Sequence, residues 1–167
     1  KSDQTDPKTD QGKPPAAASH QQESVTPGPA ATTGYVWPVE GEVDRDFSLE
    51  VFAYDDTMGD WRTHGGIDIA ADLGTQVKAA AEGVVSAVYE DDLMGTTVVV
   101  EHSGGLFTVY SNLEATPTVA VGDSVTTGSV LGRVGNTAPA ESGLESHLHF
   151  AMYQDEQPVN PEDYLSQ

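Results

Sequence analysis

The chain has 167 residues, with 7 Lys and Arg against 27 Asp and Glu, for a formal net charge of −20. Phosphate recognition needs clustered basic side chains, so this balance excludes nucleic acid and disfavours an anionic membrane surface as partners. Cysteine is absent, which excludes disulfides, thiolate metal sites and cysteine nucleophiles, and no apolar run reaches the ~20 residues of a membrane span.

The chain opens at Lys1 with neither an initiator Met nor a signal peptide, as expected of a mature or trimmed form. Residues 1–33 hold five of the ten prolines and no aromatic, Leu, Ile or Phe. Such a stretch cannot bury enough apolar surface to offset its ordering entropy, so it is expected to be a disordered linker, with at most a helical turn at Ala16–Ala18. Three lysines and four acids fall in this linker, leaving four basic and 23 acidic residues for the rest. All twelve aromatics lie between Tyr35 and Tyr164, so residues 34–167 are expected to form the folded domain. Short runs rich in Val, Thr and aromatics, cut by glycine, predict strands at 76–80, 83–89, 96–102, 106–111, 129–134 and 149–153. His102-Ser-Gly-Gly105 and Val121-Gly-Asp-Ser124 read as turns. No stretch shows helical spacing over three turns. The fold class is therefore all-β, mostly antiparallel.

Five histidines are present, and their placement is informative. His20 falls in the linker. His64 opens His64-Gly-Gly-Ile-Asp68, where two glycines let the backbone turn so that His64 and Asp68 converge. His147 and His149 are two apart and share a strand face. Either pattern alone is more often a packing or surface pair than a ligand set. Together, in one cysteine-free β domain, they point to two imidazoles and a carboxylate around a catalytic-type zinc, with one position left for water. Such an ion polarises a carbonyl and brings its water to a pKa near ~7.

The ordered set His64-Gly-Gly-Ile-Asp68, Val84-Val85, Val98-Val99-Val100-Glu101-His102, Thr108-Val109-Tyr110, Val121-Gly122-Asp123, Gly132-Arg133-Val134-Gly135 and His147-Leu148-His149-Phe150 resembles the LytM-type peptidases of family M23. The resemblance spans about residues 37–165. It implies a compact antiparallel β fold, cleavage of peptide bonds in peptidoglycan cross-links, zinc held by His64, Asp68 and His149, and His147 as the catalytic histidine beside the metal. Active members carry a second catalytic histidine in a Tyr-x-His-Leu segment, and this chain has Tyr110-Ser111-Asn112-Leu113. An asparagine can donate a hydrogen bond to a developing oxyanion but cannot carry a proton at neutral pH. By analogy with the loss of one transition-state donor, the exchange implies a rate lower by roughly 10²–10³.

A closer resemblance is to the stage II sporulation protein Q branch of that family, through Trp37-Pro38-Val39-Glu40-Gly41 and the aromatic segment from Phe52 and Tyr54 to Trp61. That branch implies an extracytoplasmic domain tethered by a membrane helix upstream of Lys1. It also implies a protein partner in a channel-like complex between mother cell and forespore, in place of, or beside, a peptidoglycan peptide. The strong negative charge suits a basic partner better than an anionic wall. Of the remaining residues, His102 reads as structural or solvent-facing. Of Trp37, Phe52, Tyr54 and Trp61, at least two are expected to close the core. The run Asp55-Asp56-Thr-Met-Gly-Asp60 lacks the ligand alternation and terminal Glu of an EF-hand loop and reads as a solvated acidic loop, as do Asp91 and Asp92. No Gly-x-Ser-x-Gly elbow supports a serine hydrolase.

Overall fold

A computed structural model describes residues 34–55 and 57–166. The linker expected over residues 1–33 lies outside the described residues, as does Asp56. Twelve strands follow in chain order: β1 Val43–Arg45, β2 Ser48–Asp55, β3 Asp60–His64, β4 Ile67–Ala70, β5 Gln76–Lys78 and β6 Gly83–Asp91, then β7 Gly95–Glu101, β8 Leu106–Leu113, β9 Ser124–Val125, β10 Val130–Arg133, β11 His147–Gln154 and β12 Gln157–Val159. Two short 3₁₀ turns, Pro139–Glu141 and Pro161–Asp163, are the only helical segments among the described residues. None of these is long and apolar enough to cross a membrane.

Eight strands form one sheet in the order β1-β4-β11-β8-β7-β6-β9, with β12 added beside β11, while β5 pairs with β10 and β2 with β3 in separate ribbons. Every pairing between these strands is antiparallel, as the Gly-punctuated sequence predicts, and an isolated bridge between Tyr35 and Leu165 is parallel. The six predicted strands are all present. The sequence reading missed β1 to β4, β9 and β12, which are short, lie on charged or exposed segments, or carry a motif more conspicuous than their strand character.

Ile67 and Ile69 of β4, Val98 and Val100 of β7, Tyr110 of β8, and Leu148, Phe150 and Met152 of β11 are fully buried and form the centre of the core. Strand periodicity sends alternate residues to opposite faces, so Asp68, His147 and His149 leave the opposite side of the same sheet. At the far end of the core, His102 is buried, with Nδ1 2.6 Å from the Glu82 carbonyl oxygen and Nε2 2.8 Å from the Thr108 hydroxyl. It is structural, as expected. The aromatic expectation needs correction. Trp37 packs on the core, but Phe52, Tyr54 and Trp61 are 60%, 52% and 66% exposed. Among the described residues the middle of the β2–β3 ribbon that carries them is exposed, while its ends at Asp55 and His64 are buried, so one of the four aromatics, not two, serves the core.

Candidate metal centre

Asp68 and His149 are register partners across β4 and β11, and directly opposed residues of an antiparallel pair share a face. Arg45 pairs with Asp68 on one side, and Ser111 pairs with His149 on the other. A polar row Arg45–Asp68–His149–Ser111 thus crosses four strands. It continues to β7, where the Thr97 hydroxyl lies 2.9 Å from that of Ser111. His64 enters from the end of β3. Its Nδ1 lies 3.0 Å from the Asp46 carbonyl oxygen. A carbonyl only accepts, so Nδ1 carries the proton, and in the neutral ring Nε2 presents a lone pair to the cluster. The sequence suggests a sharp Gly65-Gly66 turn, yet neither glycine has a positive φ. What Gly66 supplies is close approach: a Cβ there would sit 2.6 Å from the Phe150 carbonyl oxygen and 3.0 Å from His149 Nε2.

The side chains converge tightly. His64 Nε2 is 3.3 Å from His149 Nδ1 and 3.2 Å from Asp68 Oδ1, and His149 Nδ1 is 2.7 Å from Asp68 Oδ1. A fourth residue joins them. Glu141, from the Pro139–Glu141 turn, places Oε1 3.4 Å from His149 Nδ1, and each of His64, Asp68, Glu141 and His149 puts one donor atom within 4.8 Å of the others. All four are buried. Asp68 Oδ2 is buried without a hydrogen-bond partner, and Arg45 Nη1 lies 3.9 Å from it. Two imidazoles and two desolvated carboxylates, one with an orphaned oxygen, fit a divalent cation.

The protonation states follow from the same contacts. Burial works to raise the Asp68 pKa, but the hydrogen bond from His149 and the proximity of the His64 ring outweigh it and hold the carboxyl well below the usual range. Glu141 behaves alike: burial pushes it up, while His147 and His149 bring it down to about 2. Burial opposes the charge on His149, but Asp68 and Glu141 lift it to about 9. His147 has Nδ1 2.7 Å from the Glu145 carbonyl oxygen and Nε2 2.9 Å from Glu141 Oε2. Both partners accept, so both ring nitrogens carry protons. Accordingly the Glu141 and Glu145 contacts overcome the effect of burial and raise its pKa. Held this way, His147 has no lone pair with which to take a proton.

Asn112 is the extra residue of a β-bulge. Thr96 pairs with Leu113 and Val98 with Tyr110, so Thr97 alone opposes Ser111 and Asn112. Its φ is +62°, a left-handed conformation that Asn tolerates better than most residues. The bulge turns the buried carboxamide to the backbone: Nδ2 donates to the His147 carbonyl oxygen at 3.0 Å, and Oδ1 accepts from the amides of Thr137 and Ala138 at 3.0 and 3.1 Å. From solvent, a cleft of about 210 Å³ bounded by Arg45, Arg62, His64, Glu141, His149 and Tyr153 reaches the cluster.

The family model for peptidase family M23 matches residues 62–161, a span that contains His64, Asp68, Asn112, Glu141, His147 and His149. The chain belongs to peptidase family M23. The M23 domain is 40% identical over 101 residues to the DD-carboxypeptidase/endopeptidase Mpg of Neisseria meningitidis, covering 60% of this chain and 22% of that protein. It is 36% identical over 103 residues to stage II sporulation protein Q of Bacillus subtilis, covering 60% of this chain and 35% of that one. The aligned part is therefore about a fifth to a third of these relatives' length. Among solved structures, the SpoIIQ–SpoIIIAH pore-forming complex contains a chain that superimposes with a TM-score of 0.68 at 27% identity, over 80% of this chain and 91% of that one.

The structure thus brings His64, Asp68 and His149 together within this M23 domain and sets His147 beside them. Asn112 stands behind His147 with its carboxamide engaged by backbone. Glu141 was missed by the sequence reading. It is one of 23 acids in the domain and lies in a loop without a periodic pattern. Its position six residues before His147 carries no recognisable signal in one sequence.

Proposed function

We propose that this is an extracytoplasmic zinc-binding M23 domain whose peptidoglycan endopeptidase activity is weak or lost and which binds a protein partner. Zinc would be held by His64, Asp68 and His149; with a coordination position open, such an ion polarises a carbonyl. The observation that carries the loss of activity is Asn112. It stands where the family resemblance places a second catalytic histidine, it cannot transfer a proton, and its carboxamide is bound to the loop and to the His147 carbonyl. His147 itself, with both nitrogens on acceptors, is a proton donor without being a base. For the partner role, the support is the β2–β3 ribbon, where Tyr54 and Trp61 pair across the strands at 5.7 Å and, with Val51 and Phe52, expose apolar surface on both faces. Exposed apolar surface of this kind marks interaction sites. The similarity to a SpoIIQ–SpoIIIAH complex and the likeness to protein Q favour a partner of the sporulation-channel type, with native anchoring upstream of Lys1.

The competing reading, an active endopeptidase cutting peptidoglycan cross-links, draws on the convergence of His64, Asp68 and His149 and on the resemblance to Mpg. One experiment separates the two. Purified protein is analysed for metal and incubated, zinc-loaded, with purified peptidoglycan against a chelated control. Stoichiometric zinc, lost in His64→Ala together with a lower Tm, and peptide release at the chelated background are expected, since a ligand bound only by the native state stabilises it. Metal-dependent release that His147→Ala abolishes would overturn the proposal in favour of the enzyme.

A further inference from the structure

We propose that Glu141 is a fourth protein ligand of the zinc, so that the coordination shell is closed and no position is left for solvent or substrate. This rests on the zinc reading above and adds to it the state of the site. Structural zinc sites are tetrahedral with four protein ligands, whereas catalytic ones keep one position open. Ligands at roughly 2.0–2.1 Å from a tetrahedral ion stand about 3.3 Å from one another. Glu141 Oε1 lies 3.4 Å from His149 Nδ1, close to the 3.3 Å between His149 Nδ1 and His64 Nε2 and the 3.2 Å between His64 Nε2 and Asp68 Oδ1, whereas the 2.7 Å between His149 Nδ1 and Asp68 Oδ1 is a direct hydrogen bond that would have to open when an ion enters. A carboxylate serving as a base toward a molecule on the metal would have to stand back by the width of that molecule. This one lies 3.4 Å from His149 Nδ1 and within 4.8 Å of the donor atoms of His64 and Asp68.

Charge and anchoring agree with the spacing. Two neutral imidazoles with two carboxylates give a dication an electrically neutral shell, which a buried site favours because an uncompensated charge there is expensive. Glu141 is only 5% exposed, and its second oxygen is fixed by His147 Nε2 at 2.9 Å, which aims Oε1 at the cluster. The turn that carries it is fastened on both sides. Ala140 N donates to the Leu93 carbonyl oxygen at 3.0 Å, and the Thr137 hydroxyl donates to the Leu113 carbonyl oxygen at 2.6 Å. Asn112 Oδ1 accepts from Thr137 and Ala138 just upstream of the turn. The residue that replaces a proton-carrying histidine is therefore also the clamp on the loop that delivers Glu141.

The test uses the cobalt-substituted protein, whose visible absorption reports coordination, with azide as a small probe ligand, and zinc affinity by competition with a chelator. Wild-type protein should bind cobalt with a spectrum that azide does not change. Glu141→Ala and the near-isosteric Glu141→Gln should bind zinc at least 10–100-fold more weakly, the loss that removal of even an outer partner of a metal ligand brings, and the cobalt form of Glu141→Ala should change spectrum on adding azide. Circular dichroism of the metal-free Glu141→Gln protein shows whether the variant is folded. If wild type holds cobalt and azide alters its spectrum as readily as that of Glu141→Ala, the shell is open and the closed-site proposal falls while the zinc reading stands. If wild type retains neither zinc nor cobalt, the zinc reading falls and takes this proposal with it.

Discussion

Replacing Asn112 by alanine removes three hydrogen bonds at once, two buried and one partly buried, to the His147 carbonyl and from the amides of Thr137 and Ala138. Each such bond contributes a net of about 1 kcal/mol, and more where a buried partner is left without water. Asn112 also sits at φ +62°, where a residue with a Cβ and no polar side chain is disfavoured by roughly 1–2 kcal/mol. The sum is about 4 kcal/mol of lost stability. At roughly 3–5 °C per kcal/mol for a domain between the 100- and 150-residue classes, Tm should fall by about 12–20 °C. Thermal melts followed by circular dichroism in excess chelator remove any metal contribution and isolate this term. Asn112→His should also lose stability, because one imidazole cannot accept from two adjacent amides while donating to a carbonyl, so a histidine introduced here on the strength of the M23 resemblance should not by itself give a well-ordered site. A chelated Asn112→Ala protein melting within ~2 °C of wild type would show that the loop is held without the carboxamide, and the argument for its clamping role would fail.

Other outcomes follow from the same contacts. Gly66→Ala should destabilise the domain by about 1–3 kcal/mol, as overpacking does, because its Cβ meets the Phe150 carbonyl, and displacement of His149 should weaken zinc binding in the same titration. By contrast, Phe52→Ser and Trp61→Ser, on the exposed ribbon, should change unfolding free energy by no more than about 0.5 kcal/mol in urea titrations; a loss of several kcal/mol would mean that the ribbon packs on something essential. His102 has its pKa lowered, mainly by burial. A folded-state pKa below the unfolded value contributes stability that is present above the unfolded pKa, near 6.5, and is lost as pH falls through the folded value. Melts across pH 7.5 to 5 should therefore show a steeper acid loss for wild type than for His102→Gln, and parallel curves would count against the buried neutral imidazole.

The sequence by itself determined the β architecture, because strand-forming runs punctuated by glycine leave no alternative period, and it picked out His64, Asp68 and His149, which the structure brings together, because His and Asp at spacings of four and two are few and distinctive in a chain with five histidines. It also singled out Asn112, as a departure from a pattern. Tertiary structure alone decided what Asn112 does, since a bulge rotates a side chain off the face that plain alternation assigns to it. It decided the fate of Phe52, Tyr54 and Trp61 as well, because whether an aromatic is covered depends on which sheet its strand joins. Glu141 belongs to the same class. A carboxylate reaches the cluster through the path of an irregular loop and the bonds that fasten it, and those long-range contacts leave no periodic trace along the chain.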